Sequence, residues 1–197
     1  MPRDSRSITR EDIMDLGTYE TIRPEKREEA ILRKRFRRVS VGPHVTVTFE
    51  NWDSMWLQVQ EMLRIEKGGD AQLVDELAAY NPMIPDGREL TCTLMFEIDD
   101  PVLRARVLGG LGGVEDHIYL NVAGERIAGQ PEDDVERSRA DGKASSVHFL
   151  HFRFTEAQVA AWRSGEGQVM FGIDHPNYGH IALIGEDVRR ELARDFA

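Results

Sequence analysis

Cysteine is scarce in this chain of 197 residues, and long hydrophobic runs are absent. Cys92 is the one cysteine, which excludes an intrachain disulfide framework. No run of 18 apolar residues occurs and no apolar leader stands at the N-terminus, so the sequence predicts neither a transmembrane helix nor a secretory signal. We therefore expect a soluble cytoplasmic protein.

Positive charge is in short supply as well. The 25 lysines and arginines are outnumbered by 35 aspartates and glutamates, and the formal net charge is −10. This balance argues against broad binding to nucleic acid or to an anionic membrane. The glycine-rich run at 109–113 follows a predicted helix and lacks a lysine, so it indicates no nucleotide cofactor. Without a Gly-x-Ser-x-Gly turn, hydrolysis is not indicated either.

The sequence does contain alternating strand and helix patterns. Apolar residues at every second position predict strands at 44–50, 90–98, 117–122, 146–154 and 168–174. Caps, prolines and helix-forming residues predict helices at 9–12, 24–38, 52–67, 70–80, 101–109, 156–163 and 186–196. The polar stretch 124–142 is predicted to be a long loop.

These elements favour an α+β fold. The strands outnumber the crossovers that a doubly wound sheet would need. We therefore expect a single domain with an antiparallel or mixed sheet of about five strands packed by helices. Residues 1–40 are predicted to form an N-terminal helical segment, and residues 41–197 the α+β domain.

A carboxylate on an apolar helix face is the sharpest chemical signal in the chain. In the helix that follows Asn51, steps of 100° place Trp52, Trp56 and Leu63 on one side, with Glu66 in the middle of that side. An ionised acid among apolar groups is unfavourable unless a cation, a metal or a proton compensates it. Glu66 is therefore a candidate ligand.

Two histidines are also predicted on apolar faces. His148 shares its strand face with Leu150 and Phe152, and His175 continues the row of Ile173 just before a turn. A core histidine bonded to a backbone carbonyl is the simpler interpretation of His148. Strand ends such as the position of His175 often present functional groups. A histidine that stabilises the following turn is the alternative interpretation of His175.

Together these three side chains form the ligand set of an open metal site. Two imidazoles and one carboxylate suit non-haem iron, and zinc or manganese can use the same set. The sequence thus predicts a metal ion bound by Glu66, His148 and His175. Reserve ligands are Glu61, Glu50 and His180. The alternative is a buried polar network in which Glu66 pairs with an arginine or stays protonated.

A basic run lies at the end of the second predicted helix, on an otherwise acidic chain. It contains Arg33, Arg35, Arg37 and Arg38. These charges suit the C-terminal end of a helix dipole and are typical of a solvated face. The alternative hypothesis is a docking patch for an acidic partner.

Short motifs run through almost the whole chain. They are Arg37-Arg38-Val39, Gly42-Pro43, Phe49-Glu50-Asn51, the segment 60–66, Tyr80-Asn81-Pro82, Ser146-Val147-His148-Phe149 and Asp174-His175-Pro176-Asn177-Tyr178. In this order they resemble one uncharacterised bacterial family, domain of unknown function 3501. The resemblance implies a redox or oxidative-stress setting, because genes of that family often neighbour those of rubrerythrin-like and iron–sulfur proteins. It implies no activity and no catalytic residues.

Two hypotheses follow. The first is a metal-binding protein that uses Glu66, His148 and His175 in a redox or oxidative-stress setting. The second is a non-catalytic accessory protein whose basic run docks a rubrerythrin-like or iron–sulfur redox partner. A small-molecule pocket lined by Trp52, Trp56 and Tyr80 is a further alternative, although such aromatic residues are more often part of the core.

Overall fold

The computed structural model describes residues 5–132 and 143–197. Its helices are α1 Leu16–Lys34, α2 Trp52–Glu66, α3 Gly69–Tyr80, α4 Pro101–Gly109, α5 Glu156–Ser164 and α6 Glu186–Leu192. Its strands are β1 Arg38–Val41, β2 Val45–Phe49, β3 Glu89–Phe96, β4 Ile118–Val122, β5 Glu125–Ala128, β6 Gln130–Pro131, β7 Val147–Arg153, β8 Val169–His175 and β9 Tyr178–Leu183. Within these ranges no helix has the length and apolar content needed to cross a bilayer.

The strands form two antiparallel sheets that pack face to face. The first sheet has the order β1-β2-β3-β7-β6 and the second the order β5-β4-β8-β9. The core between them joins Leu94 and Leu150 of the first sheet to Leu120 and Phe171 of the second, and it encloses Cys92 completely. The predicted α+β class is confirmed, with the strands divided between two sheets.

Helix α2 covers the outer face of the first sheet. It starts after Asn51 because a capping box satisfies its first amides: Asn51 Oδ1 accepts from Ser54 N at 3.0 Å, and Ser54 Oγ accepts from Asn51 N at 2.9 Å. Its side chains Trp52 and Trp56 pack in one cluster with Phe149 of β7. The strand residues between the inward-facing apolar ones, such as Thr93, therefore lie on the side of α2.

Helix α1 begins earlier than the sequence analysis predicted. Asp15 caps it by accepting from Thr18 N at 3.0 Å, and Pro24 lies inside the helix. The prediction that a helix starts at Pro24 is therefore wrong. A proline within a helix removes one backbone hydrogen bond, and here the Asp15 cap and the flanking turns compensate for that loss.

Short strands account for the other differences. Strands β1, β5 and β6 were not predicted because they have only two to four residues, and β9 was not predicted because it begins inside the Asn177-Tyr178-Gly179 turn signal. Residues 125–131, which were predicted as loop, contain β5 and β6; residues 133–142 of that predicted loop lie outside the described residues. The predicted boundary at residue 40 falls inside β1, and the division into two segments stays a prediction.

Tyr178 ties the two sheets together at one end. Its hydroxyl donates to Val41 O at 2.8 Å and accepts from His44 N at 3.0 Å, so it closes the turn between β1 and β2. Gly42 in that turn has φ +67°, and a Cβ there would lie 2.6 Å from the His180 ring and 2.8 Å from the Tyr178 hydroxyl. The turn therefore requires glycine both for its backbone and for its contacts.

We predict that Gly42→Ala destabilises the protein by about 2–4 kcal/mol, because it adds left-handed strain to a steric clash. The measurement is the free energy of unfolding in denaturant. Gly109→Ala is the matched control, since its Cβ would meet nothing within 4 Å. Equal stability of the two variants would contradict this account of the turn.

Candidate functional site

A cavity lies between α1, α2 and the end of β2. Its volume is about 380 Å³, within the usual range for small-molecule sites. Phe49, Met55, Trp56 and Leu57 provide apolar wall. The charged side chains of the lining are Lys26, Glu29, Arg33, Lys34, Arg37, Glu50, Asp53 and Glu61.

Most of these charges are paired within the protein. Lys26 Nζ lies 3.0 Å from Glu29, and the Arg33 guanidinium lies 2.5 Å from Asp53. Glu61 receives Nε and a terminal nitrogen of Arg23 at 2.7 and 2.9 Å. Three of the four acids in the lining therefore have a cation beside them.

Glu50 is the fourth acid, and it has none. Its side chain accepts Ser54 Oγ at 2.6 Å and Thr93 Oγ1 at 2.7 Å. The residue is only 7% exposed, yet it forms no ion pair with any residue in the described ranges. Burial, with the Glu50 charge as a second cause, holds the pKa of the Cys92 thiol well above its usual value. Two neutral hydroxyls thus support a buried carboxylate at the cavity wall.

Arg37 fixes the backbone on which Glu50 sits. The guanidinium is buried, and it donates to Phe49 O at 3.0 Å and to Glu50 O at 2.9 Å. It also forms an ion pair with Asp195. Because these contacts converge where β2 ends and α2 is about to begin, the direction of the Glu50 side chain is set by the fold.

Glu61 forms a second polar centre in the cavity. Besides Arg23, it accepts the hydroxyl of the buried Tyr19 at 2.6 Å. The hydrogen bond from Arg23, helped by that from Tyr19, lowers the pKa of Glu61 to about 2. Burial and the bond to Glu61 raise the pKa of Tyr19. This group joins α1 to α2.

The predicted ligand set is not assembled in the structure. Glu66 is the last residue of α2, where the apolar stripe has ended, and its exposed carboxylate accepts from Gln72 Nε2 at 3.2 Å. Its placement in the middle of a buried face is therefore wrong. In the part of the chain that the structure describes, no three histidine, cysteine, aspartate or glutamate side chains are placed to hold a metal ion.

The histidines lie on the predicted faces, where they form hydrogen bonds and ring contacts. His148 is buried on β7, donates from Nε2 to Ser145 O at 2.9 Å and packs edge-on against Phe96. His175 is buried on β8 of the other sheet, with its Nδ1 accepting from Asn177 N at 3.2 Å. The reserve ligand His180 packs on Tyr178, with ring centroids 4.4 Å apart.

The basic run is largely committed to ion pairs within the protein. Arg33 pairs with Asp53, Arg37 with Asp195, and Arg38 with Glu97 at 2.9 Å. Arg35 is exposed at the end of α1 and forms no ion pair with a described residue.

An imidazole held between two acids was not predicted from the sequence. His151 lies 3.0 Å from Glu89 through Nδ1 and 2.5 Å from Glu132 through Nε2. Burial lowers the pKa of His151, but the two carboxylates outweigh it and raise the pKa overall. Because the acids contact opposite ring nitrogens, the three groups cannot chelate a single ion. The pairing depends on the register of β3, β6 and β7, which no sequence spacing reveals.

Gln60 was also missed. It lies on the buried side of α2, and neither of its amide atoms has a hydrogen-bond partner among the described residues. A polar residue between Trp56 and Leu63 was the available signal in the sequence.

Comparisons with known proteins give a family but no activity. A family model described as "Protein of unknown function (DUF3501)" matches residues 7–196. A crystal structure described as a novel protein of unknown function from Burkholderia pseudomallei K96243 is 35% identical to this chain, with a TM-score of 0.90. The match covers 97% of this chain and 100% of that one. No curated protein matches the sequence.

We predict that Glu61→Gln destabilises the protein at pH 7 by about 1–2 kcal/mol, allowing for solvent screening of a partly exposed pair. The folded-state pKa is depressed, so this stability is present above the usual value of 4.5 and is lost as the pH falls toward about 2. Unfolding free energies of both proteins measured across this window test the sign. Glu20→Gln, which breaks the more exposed pair with Arg64, should have a smaller effect. If the difference in unfolding free energy between the wild type and Glu61→Gln stayed constant down to a pH of about 2, the lowered pKa of Glu61 would be contradicted.

We also predict that Gln60→Met raises the melting temperature, because it replaces unpaired buried amide atoms with an apolar side chain of similar length. Thermal unfolding followed by circular dichroism measures the shift. A lower melting temperature would show that Gln60 has a partner in solution.

Proposed function

The chain belongs to the DUF3501 family of proteins of unknown function, and we propose that it binds a small organic cation in the cavity between α1 and α2, with Glu50 as the anionic anchor. The observation that carries the proposal is how the acids that line the cavity are paired. Each of the other acids in its lining has a cation within the protein, whereas Glu50 has hydroxyl donors alone among the described residues.

A carboxylate in this position favours a positively charged ligand. Removing an anion from water is unfavourable, and an ammonium or guanidinium group placed against it recovers much of that free energy. Ser54 and Thr93 each occupy one carboxylate oxygen. Carboxylate oxygens have further acceptor sites, and these can receive N–H groups from a ligand.

The apolar part of the lining suits the body of such a ligand. Trp56, Met55 and Leu57 come from α2, and Phe49 comes from the end of β2. An indole ring attracts cations through its π face. Of the three aromatic residues considered in the sequence analysis, Trp56 lines this cavity, whereas Trp52 and Tyr80 do not.

Binding of a metal ion and a role in redox chemistry remain proposals with less support. Glu50, a reserve ligand in the sequence analysis, would offer one carboxylate and two nearby hydroxyl oxygens to a hard cation. A divalent ion needs more ligands than this, whereas an ammonium group needs one carboxylate. Docking of an iron-containing partner would rely mainly on Arg35 and Lys34, because the other arginines of the run are paired.

The test is a thermal-shift series with amines, polyamines, guanidines and amino acids, followed by calorimetry of the hits. We expect at least one amine to raise the melting temperature of the wild type. The Glu50→Gln variant should bind that amine about 10-fold or more weakly than the wild type, because the substitution removes a charge-assisted contact.

Glu76→Gln is the matched control, since Glu76 is a buried acid on α3 outside the cavity. The affinity of the Glu76→Gln variant for the amine should equal that of the wild type. Manganese, iron(II) and zinc are run in the same series. A shift with a metal and none with any amine would overturn the proposal in favour of the metal-binding hypothesis, and equal amine binding by Glu50→Gln would remove Glu50 from the site.

A further inference from the structure

The two sides of α1 differ in what they contact. Lys26, Ala30 and Arg33 lie on the side that lines the cavity. The helical period places Ile31, Leu32 and the charged residues Glu28 and Arg35 on the other side. That outer side carries two large apolar side chains in water, since Ile31 is 61% and Leu32 51% exposed.

Helix α1 is joined to the rest of the protein mainly by ion pairs. Of its 19 residues, all of them described, Tyr19 is the one that is fully buried. Arg23 with Glu61, Arg33 with Asp53, and Glu20 with Arg64 link it to α2. Adjacent exposed apolar residues on such a helix, flanked by charges, are typical of an interaction surface.

We propose that this face, comprising Glu28, Ile31, Leu32 and Arg35, binds the same face of a second copy of the chain, with the two α1 helices antiparallel across a twofold axis. With the axis between residues 31 and 32, Ile31 lies against the partner's Leu32. Glu28 then lies opposite the partner's Arg35, and Arg35 opposite the partner's Glu28. One patch thus contacts itself, as a twofold interface requires.

Charge complementarity favours a second copy of the chain over other partners for this face. Glu28 and Arg35 are both exposed, and neither forms an ion pair with any residue that the structure describes. In the antiparallel arrangement each acid meets a base and no like charges face each other. The two helix dipoles also run in opposite directions.

The small area of this face predicts a weak dimer. About two turns of helix contact each other, which is well below a standard interface of roughly 1,600 Å². We therefore expect a dimer with a dissociation constant in the micromolar range, on the order of 10–100 µM. This inference is independent of the ligand proposed for the cavity.

Sedimentation velocity of the full chain, from about 1 to about 500 µM, tests the proposal. The wild type should pass from monomer to dimer over this range. Leu32→Glu should weaken the dimer by 10-fold or more, because it places a charge at the centre of the contact. Val102→Glu is the matched control, since Val102 is an exposed apolar residue of α4, and it should dimerise like the wild type.

A charge swap tests the orientation. Glu28→Arg and Arg35→Glu should each weaken the dimer, because each puts like charges opposite each other, and the double variant should restore it. A protein that stays monomeric throughout the range overturns the proposal. Dimerisation that Leu32→Glu leaves intact, or that the double variant fails to restore, overturns it as well.

Discussion

The buried guanidinium of Arg37 is the contact on which the site depends. It binds the carbonyl oxygens of Phe49 and Glu50 and pairs with Asp195 near the end of the chain. Burial raises the pKa of Asp195, and the neighbouring arginine opposes that rise. Breaking a buried pair of this kind leaves an uncompensated charge, which costs about 3–5 kcal/mol. Three distant segments of the sequence are thereby held at the point where β2 turns into α2, and the cavity opens at that point.

Much of the fold follows from local patterns in the sequence. The alternation in β3 and β7 predicted which residues face the core, and the cap at Asn51 predicted the start of α2. The burial of His148 and His175 was also predicted. The division into two sheets was not, because the pairing of strands depends on long-range register. Strands β1, β5 and β6 are too short to show a period, and β9 begins inside the turn that follows His175.

The candidate site was harder to predict, for physical reasons. The helical wheel predicted the side of α2 on which Glu66 lies but not how deeply its side chain is buried. The last residue of a helix can turn toward solvent. Glu50 was a reserve ligand in the sequence analysis, and its burial against Ser54 of α2 and Thr93 of β3 depends on how the helix packs on the sheet. Arg37 looked like one member of a surface basic run. Which charges are paired depends on partners that lie far away in the sequence. That Glu50, among the acids lining the cavity, has no cation partner within the described residues is therefore visible only in three dimensions.

The position of Cys92 gives the molecule a built-in reporter. Its thiol is fully enclosed between the two sheets, and burial raises its pKa. A thiolate is the reactive form toward alkylating reagents, so the native protein should resist them. Local fraying of a helix would leave the sulfur covered, and modification would require the sheets to separate. The rate of alkylation would then follow global opening of the sandwich, with no engineered probe needed.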